Sequence, residues 1–301
     1  MTKKWTAENI PDLTEKIVIV TGANSGIGYE TARALVRKGA TVVLACRNKD
    51  KGAASEHQIN QDSLKGKAVF MKLDLTDLAS LRRFSLEFAN HYNKLDILIN
   101  NAGIMRTPFG NTVDGFELQF GTNYLGHFAL TGLILNFIIR APQSRVVTVS
   151  SGGARFGKID FDNLNGEKGY HPGNAYGQSK LANLLFTYEL QRRFEREKVD
   201  SIAVAAHPGW TAATNLPVHW RMVRLLNPII GQKPEMGALP ILYAATAPDV
   251  KGGDYYGPRG RLGLRGYPTK VQSSKRSHDI DVAVKLWSES EKLTGVPFQW
   301  K

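Results

Sequence analysis

A single cysteine, Cys46, stands in 301 residues. That excludes an intrachain disulfide, and no Cys/His grouping has zinc-ligand spacing. No apolar run is long enough to cross a bilayer. The most apolar stretch, Phe128 to Ile139, is interrupted by Thr131, Gly132 and Asn136 and falls well short of the ~20 residues a span needs. The opening residues carry no signal-peptide core, and there is no solenoid-period repeat or low-complexity tract. The expectation is a soluble, cytoplasmic protein without a metal. Acids are also scarce: 39 Lys and Arg face 27 Asp and Glu, a net charge of +12. Residues 201–234 and 255–278 contain no acid at all, while the second stretch holds Arg259, Arg261, Arg265, Lys270, Lys275 and Arg276. Such a face is solvated, or draws an anionic substrate or membrane surface. No aromatic-basic repeat accompanies it, which argues against nucleic acid.

What is present is alternation. Val- and Ile-rich runs of strand length (17–20, 41–45, 68–73, 97–99, 146–149 and 202–205) alternate with amphipathic stretches of helix length (28–38, 49–61, 78–92, 115–140 and 176–198). Strands that are apolar throughout, rather than at every second residue, are covered on both faces. The order predicts an α/β chain with a doubly wound, Rossmann-like parallel sheet. No linker composition appears, so one domain is expected, with residues 16–209 as its core. Residues 210–270 would supply a substrate lid and the last strand, near 254–256, and residues 271–301 a C-terminal helix and tail.

Thr21-Gly22-Ala23-Asn24-Ser25-Gly26-Ile27-Gly28 follows the first strand and opens the first helix. Glycines there let the backbone turn tightly and approach a pyrophosphate, and the helix N-terminus offers free N–H groups and a positive dipole end. At the end of the second strand, where NAD sites usually carry an acid for the ribose 2′-hydroxyl, this chain has Arg47. A guanidinium pairs with a 2′-phosphate that a carboxylate would repel, so NADP(H) is expected over NAD.

Tyr176 and Lys180 are one helical turn apart and share a face. A phenol at its ordinary pKa of ~10 shuttles protons poorly near neutrality, and a neighbouring ammonium would draw it down. Such a pair alone is common on helix surfaces. Here Ser150-Ser151 ends one apolar strand and Asn100-Asn101-Ala102-Gly103 another. Both fall at the carboxyl ends of strands, where ligands bind in such sheets.

Taken together these residues resemble the short-chain dehydrogenase/reductase family. The motifs are Thr21–Gly28, Asp74, Asn100–Gly103, Asn123, Ser151, Tyr176-x-x-x-Lys180 and Pro208-Gly209. Within the family, Ala45–Asn48, Asn123–Phe128 and Tyr176–Asn183 are similar to the branch of retinol dehydrogenases and protochlorophyllide reductase-like proteins. The resemblance implies that Tyr176 is the general acid/base, Lys180 its partner and a ribose ligand, and Ser151 the group orienting the substrate oxygen. Asn123 would support a water-linked relay to Lys180. Thr21, Gly22, Ser25, Gly26, Ile27, Gly28, Arg47, Asp74, Leu75, Asn101, Ala102, Gly103, Pro208 and Gly209 would surround NADP(H). Ser151 is preferred to Ser150 by its place in the motif. The family often has Thr or Ser five residues after the proline of Pro-Gly. Here Ala213 stands there, between Thr211 and Thr214, so no residue is assigned to the nicotinamide carboxamide.

The expected activity is hydride transfer between NADP(H) and a carbonyl or alcohol carbon of a small molecule. Trp210, Leu216, Trp220, Met222, Val223, Leu225 and Leu226 suggest a lipophilic substrate (retinoid, steroid, aldehyde or quinone), while Arg221 and Arg224 allow it a carboxylate or phosphate. The alternatives are an NADP(H)-binding sensor or scaffold without turnover, which predicts an incomplete Ser/Tyr/Lys set, and a sugar-nucleotide epimerase, which needs a further substrate domain. The stretch 116–139 and the helix from Tyr176 could pair with a second copy in a homodimer, as the resemblance suggests, or be buried within one chain. Peripheral membrane contact through the basic region is a further expectation.

Overall fold

Strands β1 (Ile17–Thr21), β2 (Thr41–Cys46), β3 (Lys67–Lys72), β4 (Ile97–Asn100), β5 (Ser144–Val149), β6 (Ser201–Ala206), β7 (Tyr255–Pro258) and β8 (Pro268–Lys270) form one sheet in the order 3-2-1-4-5-6-7-8. The computed structural model describes residues 4–63, 65–211 and 231–300. Neighbours from β3 to β7 are parallel, as the uniformly apolar strands require. β8 runs antiparallel to β7. It is three residues long and opens with a proline, so no period marks it in the sequence.

Helices cover both faces. α1 (Gly26–Arg37) and α8 (Pro234–Thr246) lie on one side, where Leu35, Val36, Leu239 and Leu242 close over Val18, Val20 and Val42. α3 (Leu78–His91) and α7 (Pro172–Arg196) lie on the other, with Phe84, Phe88 and Leu185 over Ile19 and Leu98. α2 (Lys49–Gln61) packs beside β3. Among the described residues no helix is long and apolar enough to cross a membrane.

Two helical expectations are corrected. α7 begins at Pro172, ahead of Tyr176, with His171 as N-cap. Pro-Gly-Asn reads as a breaker, yet proline at the first helical position loses no hydrogen bond. The stretch 115–140 is broken. Gly115 is a turn residue at φ +84°. It precedes the short α4 (Leu118–Phe120), a π-helical turn Gly121–Leu125, α5 (Gly126–Leu133) and α6 (Leu135–Arg140).

The surface that α5 and α7 could offer a second copy is occupied by this chain. α9 (Ile280–Thr294) lies across it. Trp287 stacks on Phe186 at 5.7 Å and meets Phe128 at 5.1 Å. Phe298 lies 4.9 Å from Phe128, and a Cβ on Gly132 would come within 2.9 Å of Phe298 and Val296. Burying an aromatic or aliphatic side chain of this size is worth about 1.5–3 kcal/mol, so a partner would have to displace a well-packed helix.

Candidate active site

The carboxyl edge of the sheet opens into a cavity of about 470 Å³, in the range of small-molecule sites. One end is the loop between β1 and α1. Gly22 sits at φ +67°, and a Cβ there would come 3.0 Å from that of Ala102. A Cβ on Gly28 would be 2.4 Å from the Gly22 carbonyl oxygen. Both positions therefore require glycine. Ser25, Gly26 and Ile27 line the cavity at the start of α1. Ser25 does not spend its hydroxyl on capping.

Thr21 is placed differently from the expectation of a cofactor ligand. It is fully buried, and its hydroxyl oxygen accepts the N–H groups of Asn101 and Ala102 at 2.9 Å each. It braces two strand ends from behind. Asn101 likewise gives one amide N–H to the Thr21 carbonyl, at 2.8 Å, while also lining the cavity. Gly209 does not line the cavity, whereas Pro208 does.

Farther along, Arg47, Asp74 and Leu75 form the wall over β2 and β3. Arg47 is largely exposed, with Nε 3.9 Å from Asp74 Oδ2. The other Asp74 oxygen accepts from the Thr76 N–H at 3.0 Å and its hydroxyl at 2.7 Å. An exposed pair at that distance is worth ~0–1 kcal/mol, so the guanidinium is easily redirected toward an anion.

At the other end stand Tyr176 and Lys180. Geometry distinguishes the two serines. The Ser150 hydroxyl is buried and donates to the Lys180 carbonyl at 2.8 Å. The Ser151 hydroxyl accepts the Gly153 N–H at 3.2 Å and stands near enough to the Tyr176 phenol to favour its ionised form. The expectation that Lys180 draws the phenol down does not describe this arrangement. Burial dominates and raises Tyr176, and the Ser151 hydroxyl and the Arg106 charge only partly offset it. Burial also pushes Lys180 down to about 8, while its ammonium donates to the Val149 carbonyl at 3.0 Å. Asn123 lies in the π-helical turn and uses its side chain as a clamp. Oδ1 accepts the Ile104 N–H at 2.8 Å, and Nδ2 donates to Ile104 O and Ser179 Oγ at 2.9 Å each.

Some contributors were not legible in the sequence. Glu117 is buried and accepts the N–H groups of Gln119 and Phe120 at 2.9 and 2.6 Å. Gln119 then accepts the Arg106 N–H at 2.6 Å, which holds the segment carrying Arg106 against the site. A carboxylate just before a helical run was the available signal. Residues 212–230, including Ala213, Thr214 and most of the apolar lid positions, lie outside the described residues. Among the described residues, no group of His, Cys, Asp and Glu has the geometry of a metal site.

Two buried histidines have a consequence for stability. Burial drives both His127 and His207 down to about 4, with nearby Lys180 and Arg155 respectively adding to the effect. The unfolded chain, with histidines near 6.5, therefore binds more protons than the folded one from about pH 6.5 down to about 4. Stability is intact above this window and is lost as pH falls through it. Thermal melts at pH 7, 6 and 5 are expected to show a falling midpoint already above the carboxylate range. A midpoint flat from pH 7 to pH 5 would contradict the assignment.

The dinucleotide fit rests on this cradle: a loop with two obligatory glycines, a redirectable guanidinium, and the Tyr176 phenol and Lys180 along one cavity. The short chain dehydrogenase family model matches residues 16–221. Retinol dehydrogenase 12 of Mus musculus is 40% identical over 291 residues, 95% of this chain and 88% of that protein. Retinol dehydrogenase 13 of Homo sapiens is 38% identical over 300 residues, covering 93% and 85% respectively. A solved structure of an uncharacterised protein from Mycobacterium paratuberculosis is 43% identical. It aligns with a TM-score of 0.83 over 99% of this chain and 100% of that one.

Proposed function

Because the chain belongs to the short chain dehydrogenase family, an oxidoreductase family acting on alcohol and carbonyl groups, we propose that it is an NADP(H)-dependent enzyme for a lipophilic carbonyl or alcohol substrate. The observation that carries the reading is that Tyr176 and Lys180 line the same cavity as the phosphate loop and Arg47.

The bound dinucleotide would supply the hydride. This chain's residues do the rest. Gly22, Ser25, Gly26 and Ile27 receive the pyrophosphate at the α1 N-terminus. Arg47 takes the 2′-phosphate, and Asp74 and Leu75 flank the adenine. Lys180 binds the nicotinamide ribose. Ser151 holds the substrate oxygen, and the Tyr176 Oη–H gives it a proton in reduction and takes one in oxidation. A phenol is protonated around neutrality and burial raises it further, which suits the reductive direction. Ile104, Met105, Leu118 and Val149 make the wall near Tyr176 apolar. Together with the retinol named for the relatives, this favours a retinoid-like or other lipophilic aldehyde or ketone.

The test is a panel of retinal, steroid ketones, fatty aldehydes and quinones, with the corresponding alcohols, run with NADPH and NADH in parallel. Reduced nicotinamide is followed by absorbance. Turnover of lipophilic carbonyls with NADPH well above NADH is expected. Tight NADPH binding with no turnover across the panel would favour a sensor or scaffold instead. Equal use of NADH would remove the role given to Arg47.

A further inference from the structure

His127 is a buried titratable group that the mechanism above leaves unused. It stands on the first turn of α5 and is 1% exposed. Its Nδ1 lies 3.0 Å from the Asn123 carbonyl oxygen and its Nε2 2.9 Å from the Thr21 hydroxyl. A carbonyl can only accept, so Nδ1 carries the proton and Nε2 accepts from Thr21. Burial keeps the ring neutral, which is the form that can do both.

The two contacts lead to the same place from opposite sides. Through Thr21 the bridge reaches the N–H groups of Asn101 and Ala102. Through Asn123 it reaches both backbone polar groups of Ile104 and the hydroxyl of Ser179, the residue before Lys180. The segment 101–104 is therefore held at both ends by a polar chain whose centre is the imidazole. Clearance is small: a Cβ on Gly103 would stand 3.2 Å from Asn123 Oδ1 and 3.3 Å from Lys180 Nζ. The π-helical turn at Gly121–Leu125 shifts the backbone register where Asn123 meets this ring, a feature that recurs at functional sites.

We propose that His127 is a positioning residue, which sets the edge formed by Asn101–Ile104, and with it the nicotinamide end of the cavity, against Lys180 by joining Thr21 to the Asn123 carbonyl. This rests on the dehydrogenase reading for its effect on turnover, but not for its effect on cofactor binding.

The experiment measures NADPH affinity by fluorescence, kcat, KM and melting temperature for His127→Phe, His127→Asn, His127→Gln and Thr21→Val. Phenylalanine keeps the volume and removes both contacts. Asparagine can retain the donor toward Asn123, and glutamine the acceptor for Thr21. His127→Phe is expected to weaken NADPH binding about three- to tenfold and to lower kcat about tenfold or more, since ångström-scale misplacement is that costly. The Asn and Gln variants should fall between it and the wild type. Thr21→Val should act in the same direction and add little to His127→Phe, because both cut one chain.

If His127 merely fills space, the Phe variant melts earlier while its affinity, kcat and KM stay within about twofold, and its effects add independently to those of Thr21→Val. That result overturns the proposal. If the Phe variant does not fold, the Asn, Gln and Thr21→Val proteins decide it by the same comparison. A wild-type protein that binds NADPH but reduces nothing would end the functional reading and leave the affinity comparison intact.

Discussion

Tyr176→Phe is expected to lower kcat by about 10²–10⁴-fold, the usual worth of a positioned acid or base, while NADPH affinity changes by no more than about threefold. The Tyr176 side chain lines the cavity, where its phenol can meet a substrate oxygen. Lys180 gives one ammonium N–H to the Val149 carbonyl, and Ser150 gives its hydroxyl to the Lys180 carbonyl. Phenylalanine keeps the ring that packs against Gly153, where a Cβ would come 3.0 Å from the tyrosine's ring carbon. Loss of activity would therefore report the proton and not the packing. The raised pKa of the phenol adds a directional signature. Reduction should hold steady across neutral pH, whereas alcohol oxidation, which needs the base form, should climb as pH rises. Single-turnover assays in both directions measure this. Retention of near wild-type reductase activity by the Phe variant would remove Tyr176 from its role.

The second large effect is expected at Arg47. Arg47→Asp should shift the ratio of kcat/KM for NADPH over NADH by at least about 10²-fold. A hydrogen bond to a charged group is worth about 1.5–3 kcal/mol, so a lost bidentate contact alone accounts for one to two decades. Repulsion between the new carboxylate and the 2′-phosphate adds to it. The gain with NADH should be smaller than the loss with NADPH, because Asp74 already lies close to Arg47 and two carboxylates in one corner disfavour each other's charge. Steady-state kinetics with both cofactors on one substrate give the ratio directly. An unchanged ratio would mean that the guanidinium does not meet the 2′ position.

Much of the site was legible because its signals are short-range. A glycine that must adopt φ +67°, a strand–turn–helix order and a Tyr–Lys pair one turn apart are each contained within a few consecutive residues. So is the uniformly apolar character of strands covered on both faces. What a run of residues could not reveal was the purpose to which a polar side chain is put. Thr21 reads as a cofactor ligand, yet it braces the backbone behind the loop, whereas Asn101 both lines the cavity and ties back to the Thr21 carbonyl. Ser150 and Ser151 are adjacent and alike, and only the folded chain shows the first bonded to the Lys180 carbonyl and the second to the Gly153 N–H. Thr21 and His127 are 106 residues apart, and nothing local to either announces the other.

The amino-acid order by itself determined the doubly wound architecture and the sheet edge at which most of the expected residues line one cavity, because backbone conformation and burial period are local properties. Only the folded chain decided that burial raises the Tyr176 phenol instead of drawing it down, that α9 closes the face of α5 and α7, and that a neutral imidazole joins the two halves of the site. Desolvation and hydrogen-bond pairing depend on which distant side chains arrive at the same point, and that is settled in three dimensions.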